Sequence, residues 1–136
     1  MIDSVTFYQD DKDESYLFVG KKTTMEVKII SKSKFENVII GFSLKTVDGI
    51  VVLNDSTFFM KDLQLPLEVG MNTFVFEFNS NVANLEYYFF MGLITFETGE
   101  RVDLDQRWRM KKVKFFSDRD CGEGLVYAPS ILKLNN

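Results

Sequence analysis

Asp103 and Asp105 stand two residues apart. On a strand, such residues point the same way about 7 Å apart, and two carboxylates flanking a sugar bond are all that glycoside hydrolysis needs. A chain with 20 acidic residues offers pairs of this kind by chance, so the spacing alone says little. The chain has no His, which removes the commonest general base and the commonest metal ligand together. Cys121, the single cysteine, therefore has no imidazole to activate it, and its Gly-bounded, charged surroundings read as an inert thiol. Gly20-Lys21-Lys22-Thr23 is the nearest approach to a phosphate-binding loop. Ser15 stands where that loop needs its first Gly, however, and Lys22 where Ser or Thr should hold magnesium. Asp10, Asp11 and Asp13 lack the Gly-spaced ligand pattern of a calcium loop and read as solvated charge. Asn54-Asp55-Ser56 matches a glycosylation sequon, which matters only in a secreted eukaryotic chain. The expectation is a non-enzyme with no catalytic residue, no metal site and no cofactor.

A different set of residues is suited to binding. Leu85–Phe96 is the longest alternating segment, and it splits into Tyr87, Phe89, Met91 and Leu93 on one side and Tyr88, Phe90, Ile94 and Phe96 on the other. If the first set faces the core, the second is an outward stripe far more apolar than a solvated sheet face. Such a stripe is a binding face, a subunit interface, or a surface covered by a neighbouring loop or strand. Arg101, Asp103 and Asp105 share one parity on the next segment, opposite to Val102 and Leu104, which predicts that their heads project from the face of Tyr88 and Phe90. Arg107, Trp108 and Arg109 follow in a charged crossover that holds the only Trp. Flat apolar platforms beside forked donors and acceptors are what a pyranose needs: rings for its C–H faces, and polar forks that take two hydroxyls at once. The residues expected to line such a site are Tyr88, Phe90, Asp103, Asp105, Arg107 and Trp108, with Tyr127 a further candidate.

The elements that must position these residues are strands throughout. A chain of 136 residues fits one domain, and 14 Phe and 5 Tyr against 2 Pro favour many paired strands. One Cys rules out an internal disulfide. Net charge −4 gives no basic footprint for nucleic acid. The first residues lack a secretory signal, and no apolar run approaches the ~18 residues of a membrane helix.

Alternation predicts strands at Ile2–Gln9, Tyr16–Val19, Thr23–Ile30, Asn37–Thr46, Ile50–Leu53, Asn72–Phe78, Leu85–Phe96, Arg101–Leu104, Lys112–Phe116 and Leu125–Ala128, with a weaker edge candidate at Leu63–Val69. Asp10–Glu14 reads as a loop, Asp48-Gly49 as a hairpin turn, and Val82–Tyr87 as a segment able to hold one helical turn. About ten short strands without intervening helices predict an all-β fold, an antiparallel β-sandwich of immunoglobulin-like or jelly-roll-like topology.

The order of the segments is itself informative. Gly41-Phe42-Ser43-Leu44-Lys45-Thr46-Val47-Asp48-Gly49-Ile50-Val51-Val52 with Asn54–Thr57 forms a Gly-apolar strand, an Asp-Gly hairpin and an Asn/Thr segment. Leu67-Glu68-Val69-Gly70 precedes Phe74-Val75-Phe76, and Tyr87-Tyr88-Phe89-Phe90-Met91-Gly92-Leu93 follows. Asp105, Val113-Lys114-Phe115, Gly124-Leu125-Val126 and Pro129 close the series. This succession, from about Thr23 to Leu132, resembles the C-terminal carbohydrate-binding domain of Wzt, the nucleotide-binding subunit of bacterial O-antigen polysaccharide ABC transporters. Where that family often ends on a Trp, this chain has Ile131 and Leu132.

The resemblance implies a non-catalytic immunoglobulin-like module that engages the non-reducing end of a finished O-antigen polysaccharide. It also implies a homodimer formed through exchange of a C-terminal strand, located in the cytoplasm at the inner face of the bacterial inner membrane. Its partners would be the membrane and ATPase subunits of the transporter, and residues 1–136 would be the binding domain alone, without the ATPase half. An immunoglobulin-like protein-interaction or adhesion module is the other reading of the same aromatic face.

Overall fold

The computed structural model describes residues 1–10, 12–13, 16–60, 65–117, 128 and 130–134. Ten strands follow in order: β1 (Ile2–Gln9), β2 (Lys12–Asp13), β3 (Leu17–Phe18), β4 (Lys22–Ser31), β5 (Phe35–Thr46), β6 (Val51–Ser56), β7 (Leu65–Leu67), β8 (Gly70–Asn79), β9 (Glu86–Thr95) and β10 (Val102–Phe116). They form two facing sheets, one ordered β2-β1-β4-β8 and the other β3-β10-β9-β5-β6, with β7 pairing β5 beside β6. Every pairing is antiparallel except β3 on β10. The result is the expected all-β antiparallel sandwich.

The alternation in sequence becomes burial in space because a strand sends successive side chains to opposite faces. Met25, Val27 and Ile29 of β4, Val38, Ile40, Phe42 and Leu44 of β5, and Tyr87, Phe89, Met91 and Leu93 of β9 all point between the sheets and are buried. Aromatic edges lock the layers together: Phe7 of β1 meets Phe89 at 5.2 Å, and Phe76 of β8 meets Phe42 at 5.5 Å. Truncating one of these rings to Ala is expected to cost about 3–5 kcal/mol. The Asp48-Gly49 turn closes as expected, with the Gly49 amide donating to the Thr46 carbonyl at 2.9 Å and Gly49 at φ 89°, a conformation only Gly adopts freely.

One lateral side of the sandwich is sealed by a side chain. Buried Gln9 donates from Nε2 to the Phe18 carbonyl at 3.0 Å and accepts at Oε1 from the Phe18 amide at 2.8 Å. Its amide thus pairs with β3 as a peptide group would, while β3 pairs on its other flank with β10. Gln9 Nε2 also donates to Thr23 Oγ1 at 2.9 Å, so no polar atom of this buried amide is left without a partner.

Several local expectations differ from the structure. Arg101–Leu104 and Lys112–Phe116 are not separate strands joined by a crossover; apart from Arg101, which precedes it, both belong to the single 15-residue β10, which stays in the sheet by bulging. Within Asp10–Glu14, Lys12 and Asp13 pair with β1 rather than remaining loop. No helical turn forms at Val82–Tyr87: Val82 makes an isolated bridge and β9 begins at Glu86. In the predicted strand at Leu125–Ala128, residues 125–127 lie outside the described residues and Ala128 is in no strand. Among the described residues, no helix is long and apolar enough to cross a membrane.

Candidate functional site

The outer face of the six-stranded sheet carries a groove of about 570 Å³. Its shape follows from strand register. Ser56 of β6, Gly41 of β5, Gly92 of β9 and Gln106 of β10 lie in one row across four strands. The two central positions have no side chains, so the row is a trough. One flank is the row Asn54–Ser43–Phe90, with Lys45–Tyr88–Lys112 beyond it; the other is Ile39–Ile94–Asp103. Phe58, 69% exposed just after β6, and Trp108, 75% exposed on β10, also line the groove.

Gly92 and Gln106 fit each other closely. A Cβ built on Gly92 would come 2.6 Å from Gln106 Oε1 and 2.9 Å from its Nε2, so the amide lies directly on bare backbone. A glycine inside a strand commonly marks such a close approach. Among the described residues no group hydrogen-bonds the Gln106 amide, which leaves a donor and an acceptor facing the trough. At the aromatic wall, Trp108 meets Phe90 edge-on at 6.1 Å, and Lys45 Nζ stands 4.3 Å from the Phe90 ring centre. Arg109 lies 5.1 Å over Tyr88.

Two irregularities in β10 decide which of its side chains reach this face. Asp103 pairs with Ile94 and Asp105 with Leu93, so Leu104 is an inserted residue. Residues 108–110 then oppose Phe90 alone before Lys111 pairs with Phe89, and Arg109 there adopts φ 50°.

Because a one-residue shift flips every following side chain, Asp105 does not share the face of Asp103, as its spacing predicted. It turns towards β1 and accepts from the Ile2 amide at 2.9 Å through Oδ2, with only 18% of its side chain exposed. Arg107 goes with it: Nε donates to Asp105 Oδ2 at 3.3 Å and Nη2 to the Ile2 carbonyl at 3.3 Å. Arg107 borders the groove, but its guanidinium is committed to Asp105 and Ile2. Lys111 likewise donates to the Val5 carbonyl at 3.1 Å. Asp105, Arg107 and Lys111 thus fasten β10 to β1.

The bulge also separates Asp103 and Asp105 onto opposite faces, which dissolves the carboxylate pair that a glycosidase reading requires. Asp103 stays on the groove face, held by Arg101 Nε at 3.1 Å in an exposed ion pair.

Of the expected residues, Tyr88, Phe90, Asp103 and Trp108 are brought to one face, whereas Asp105 and the head of Arg107 are not. Tyr127 lies outside the described residues. Gly41, Gly92, Gln106, Lys45 and Phe58 were not anticipated. The available signal was the pair of mid-strand glycines, which interrupt otherwise bulky alternation. Behind the groove, the buried Tyr87 hydroxyl donates to the Ala83 carbonyl at 2.7 Å, and burial pushes its pKa up to about 12.

Comparison with known proteins agrees with this architecture. The crystal structure of the C-terminal domain of wzt superposes with a TM-score of 0.83, covering 99% of this chain and 83% of that one at 17% identity, a likeness of fold. The soluble domain of PmoD from Methylocystis sp. ATCC 49242 (Rockwell) is a weaker match, with a TM-score of 0.44, 18% identity, and coverage of 85% of this chain and 96% of that one. No curated protein matches the chain. The family model of the Wzt C-terminal domain matches residues 1–127, nearly the whole sequence. The chain belongs to the Wzt C-terminal domain family.

Proposed function

We propose that this domain is a non-catalytic glycan-binding module that takes the non-reducing end of O-antigen polysaccharide in the groove of the six-stranded sheet and presents it for export by an ABC transporter. Family membership supports carbohydrate binding in the service of the O-antigen transporter in general. The observation that carries the assignment to this face is the Gly41–Gly92 trough walled by Phe90 and Trp108. A pyranose has two apolar faces and a polar rim. The aromatic wall suits a face, while Gln106, Ser43 and Asn54 suit hydroxyls. Phe58 and Trp108, both exposed and both lining the groove, offer further apolar surface to a terminal sugar.

Two further features support a binding role. The chain has no His, and Asp103 and Asp105 diverge to opposite faces, so the one carboxylate pair that the sequence suggested is not assembled at the groove. Ile131, Leu132 and Leu134 are 85%, 83% and 78% exposed, which supports a homodimer in which the C-terminal segment pairs with the other copy. In that assembly two weak sites act together on clustered chains. The module would work in the cytoplasm at the inner face of the bacterial inner membrane, beside the transporter's membrane and ATPase subunits.

The test is retention of purified O-polysaccharide on immobilised protein, with intact chains compared against fragments whose non-reducing residue has been removed. Intact chains are expected to be held and trimmed ones lost. Equal retention of both removes end recognition, and retention of neither removes the glycan reading in favour of a protein-interaction face. Sedimentation of the chain as a monomer at tens of micromolar would remove the dimer.

A further inference from the structure

Phe58 and Phe59 stand side by side in the turn after β6, 69% and 65% exposed. Their rings meet edge-on at 5.8 Å, and of the two only Phe58 lines the groove. Two neighbouring phenylalanines left in water cost the folded state apolar burial, so the turn that holds them out calls for a physical cause.

That cause is one hydroxyl. The β5–β6 register, continued one step past Gly41 and Ser56, sets Thr57 opposite Ile40. A regular antiparallel pair at this position exchanges two backbone hydrogen bonds. Thr57 makes the first of them, its amide donating to the Ile40 carbonyl at 2.9 Å. The second is different: the Ile40 amide donates at 3.0 Å to Thr57 Oγ1 instead of to the Thr57 carbonyl. The side chain therefore closes the ladder and frees the main chain to leave it. The turn follows at once, with the Phe59 and Met60 amides both donating to the Ser56 carbonyl at 3.0 and 3.1 Å. Ile40 is a fixed anchor, because its side chain is wholly buried and β5 pairs with β9 on its other flank. Thr57 is only 1% exposed, so a lost hydroxyl would leave the Ile40 amide buried without its acceptor.

We infer that Thr57 is a positioning residue for glycan binding, whose hydroxyl ends β6 and aims Phe58 at the groove. This rests on the groove being the glycan site and adds what sets its β6 side in place. A residue without a side-chain acceptor must give Ile40 its own carbonyl, which lengthens the strand and shifts the turn that carries Phe58. A ring already directed at the groove in the empty domain leaves less ordering to be done on binding.

The experiment is a double-mutant cycle on the full chain with purified O-polysaccharide as the probe, read by calorimetry, thermal melts and hydrogen exchange at the Ile40 amide. Thr57→Val keeps the branched side chain without its oxygen, and Thr57→Ser keeps the oxygen. Phe58→Ala is expected to weaken binding about fivefold and Thr57→Val about threefold, while Thr57→Ser stays within about twofold of wild type. The Ile40 amide should exchange faster in Thr57→Val and not in Thr57→Ser. Because Thr57 acts through Phe58, adding Thr57→Val to Phe58→Ala should cost nothing more. Losses that add in the double variant overturn the inference, as does full affinity in Thr57→Val with its Ile40 amide exposed to exchange, or a Thr57→Ser that binds as poorly as Thr57→Val. If Thr57→Val does not fold, Thr57→Cys, whose thiol is a weak acceptor, takes its place in the cycle and is held to the same outcomes. Failure of the glycan reading looks different: wild type then retains no polysaccharide, or Gly92→Ala and Phe58→Ala retain it as well as wild type.

Discussion

Gly92→Ala should separate binding from stability more cleanly than any other substitution in this domain. Gly92 is not among the residues with positive φ, so its backbone accepts Ala without strain, and the loss of unfolded-chain entropy stabilises by about 0.4–1 kcal/mol. Against this, the new methyl meets the Gln106 amide at 2.6 Å and drives that side chain into another rotamer, at a cost of roughly 0.5–1.5 kcal/mol. The terms nearly cancel, and the thermal midpoint should move by no more than about 5 °C.

Binding has no such compensation. The methyl fills the trough floor, and the displaced amide loses two hydrogen bonds to ligand at ~1 kcal/mol each, a loss of roughly thirtyfold in affinity. Calorimetry with purified O-polysaccharide, run beside thermal melts of the same preparations, reads both quantities. Gly41→Ala is the control, because its methyl would meet Ser56 Cβ at 3.7 Å and the Asp55 carbonyl at 4.0 Å, ordinary contacts that displace nothing. It should weaken binding less than Gly92→Ala. Unchanged affinity in Gly92→Ala at an unchanged midpoint refutes the trough as the binding site; a midpoint lowered by more than about 10 °C refutes the claim that Gln106 is free to move.

Trp108→Ala should cost roughly 1 kcal/mol or more of glycan affinity with little change in midpoint, because the ring is 75% exposed and meets Phe90 and Lys45 on the groove face. A collapsed midpoint would place it in the folding core instead. Asp105→Ala should do the reverse, removing the acceptor for the Ile2 amide and the partner of Arg107 and destabilising by ~1–3 kcal/mol in chemical denaturation while glycan retention persists. Tyr87 sets an alkaline limit. Its folded pKa of about 12 stands above the ordinary tyrosine value of 10.0, so its contribution is complete below pH 10.0, declines as the unfolded chain ionises, and is gone above about 12. The loss is roughly 3 kcal/mol across that window, and Tyr87→Phe should flatten this part of the stability curve, though it removes the bond to Ala83 at every pH.

Strands β4, β5 and β9 are legible in the sequence because each has one buried face, and burial punishes any slip in parity: Met25, Val27 and Ile29 have nowhere else to go. The same logic placed Tyr88 and Phe90 outward correctly. It failed on β10, where neither face is strongly apolar between Asp103 and Lys112 and no pattern fixes the register. An inserted Leu104 is invisible in such a stretch, and it carried Asp105 and Arg107 away from the groove. The trough was illegible for another reason. Gly41 and Gly92 are 51 positions apart by number, and only the β5–β9 register brings them together; Gln106 acquires its role from resting on Gly92.

The Gln9 amide gives the sandwich a spine. On that side, β1 is stitched through Gln9 to β3 and through Asp105, Arg107 and Lys111 to β10, so the two sheets are riveted at their backbones. At the opposite side β6 and β8 end their sheets, and among the described residues no ladder joins them. The domain therefore resembles a book bound by backbone contacts along its spine and held at the fore-edge by side-chain packing such as Phe42 on Phe76. Trp108 and Gln106 sit on the strand next to the spine, whereas Asn54 and Ser56 of β6, and Phe58 just after it, lie at the far edge of the same sheet. Occupancy of the groove should then be felt asymmetrically: amide exchange slows in β6 and around Phe58, while β10 exchanges as slowly empty as filled. A site with one stationary jaw and one yielding jaw can accept chain ends of somewhat different girth without loosening the wall that reads them.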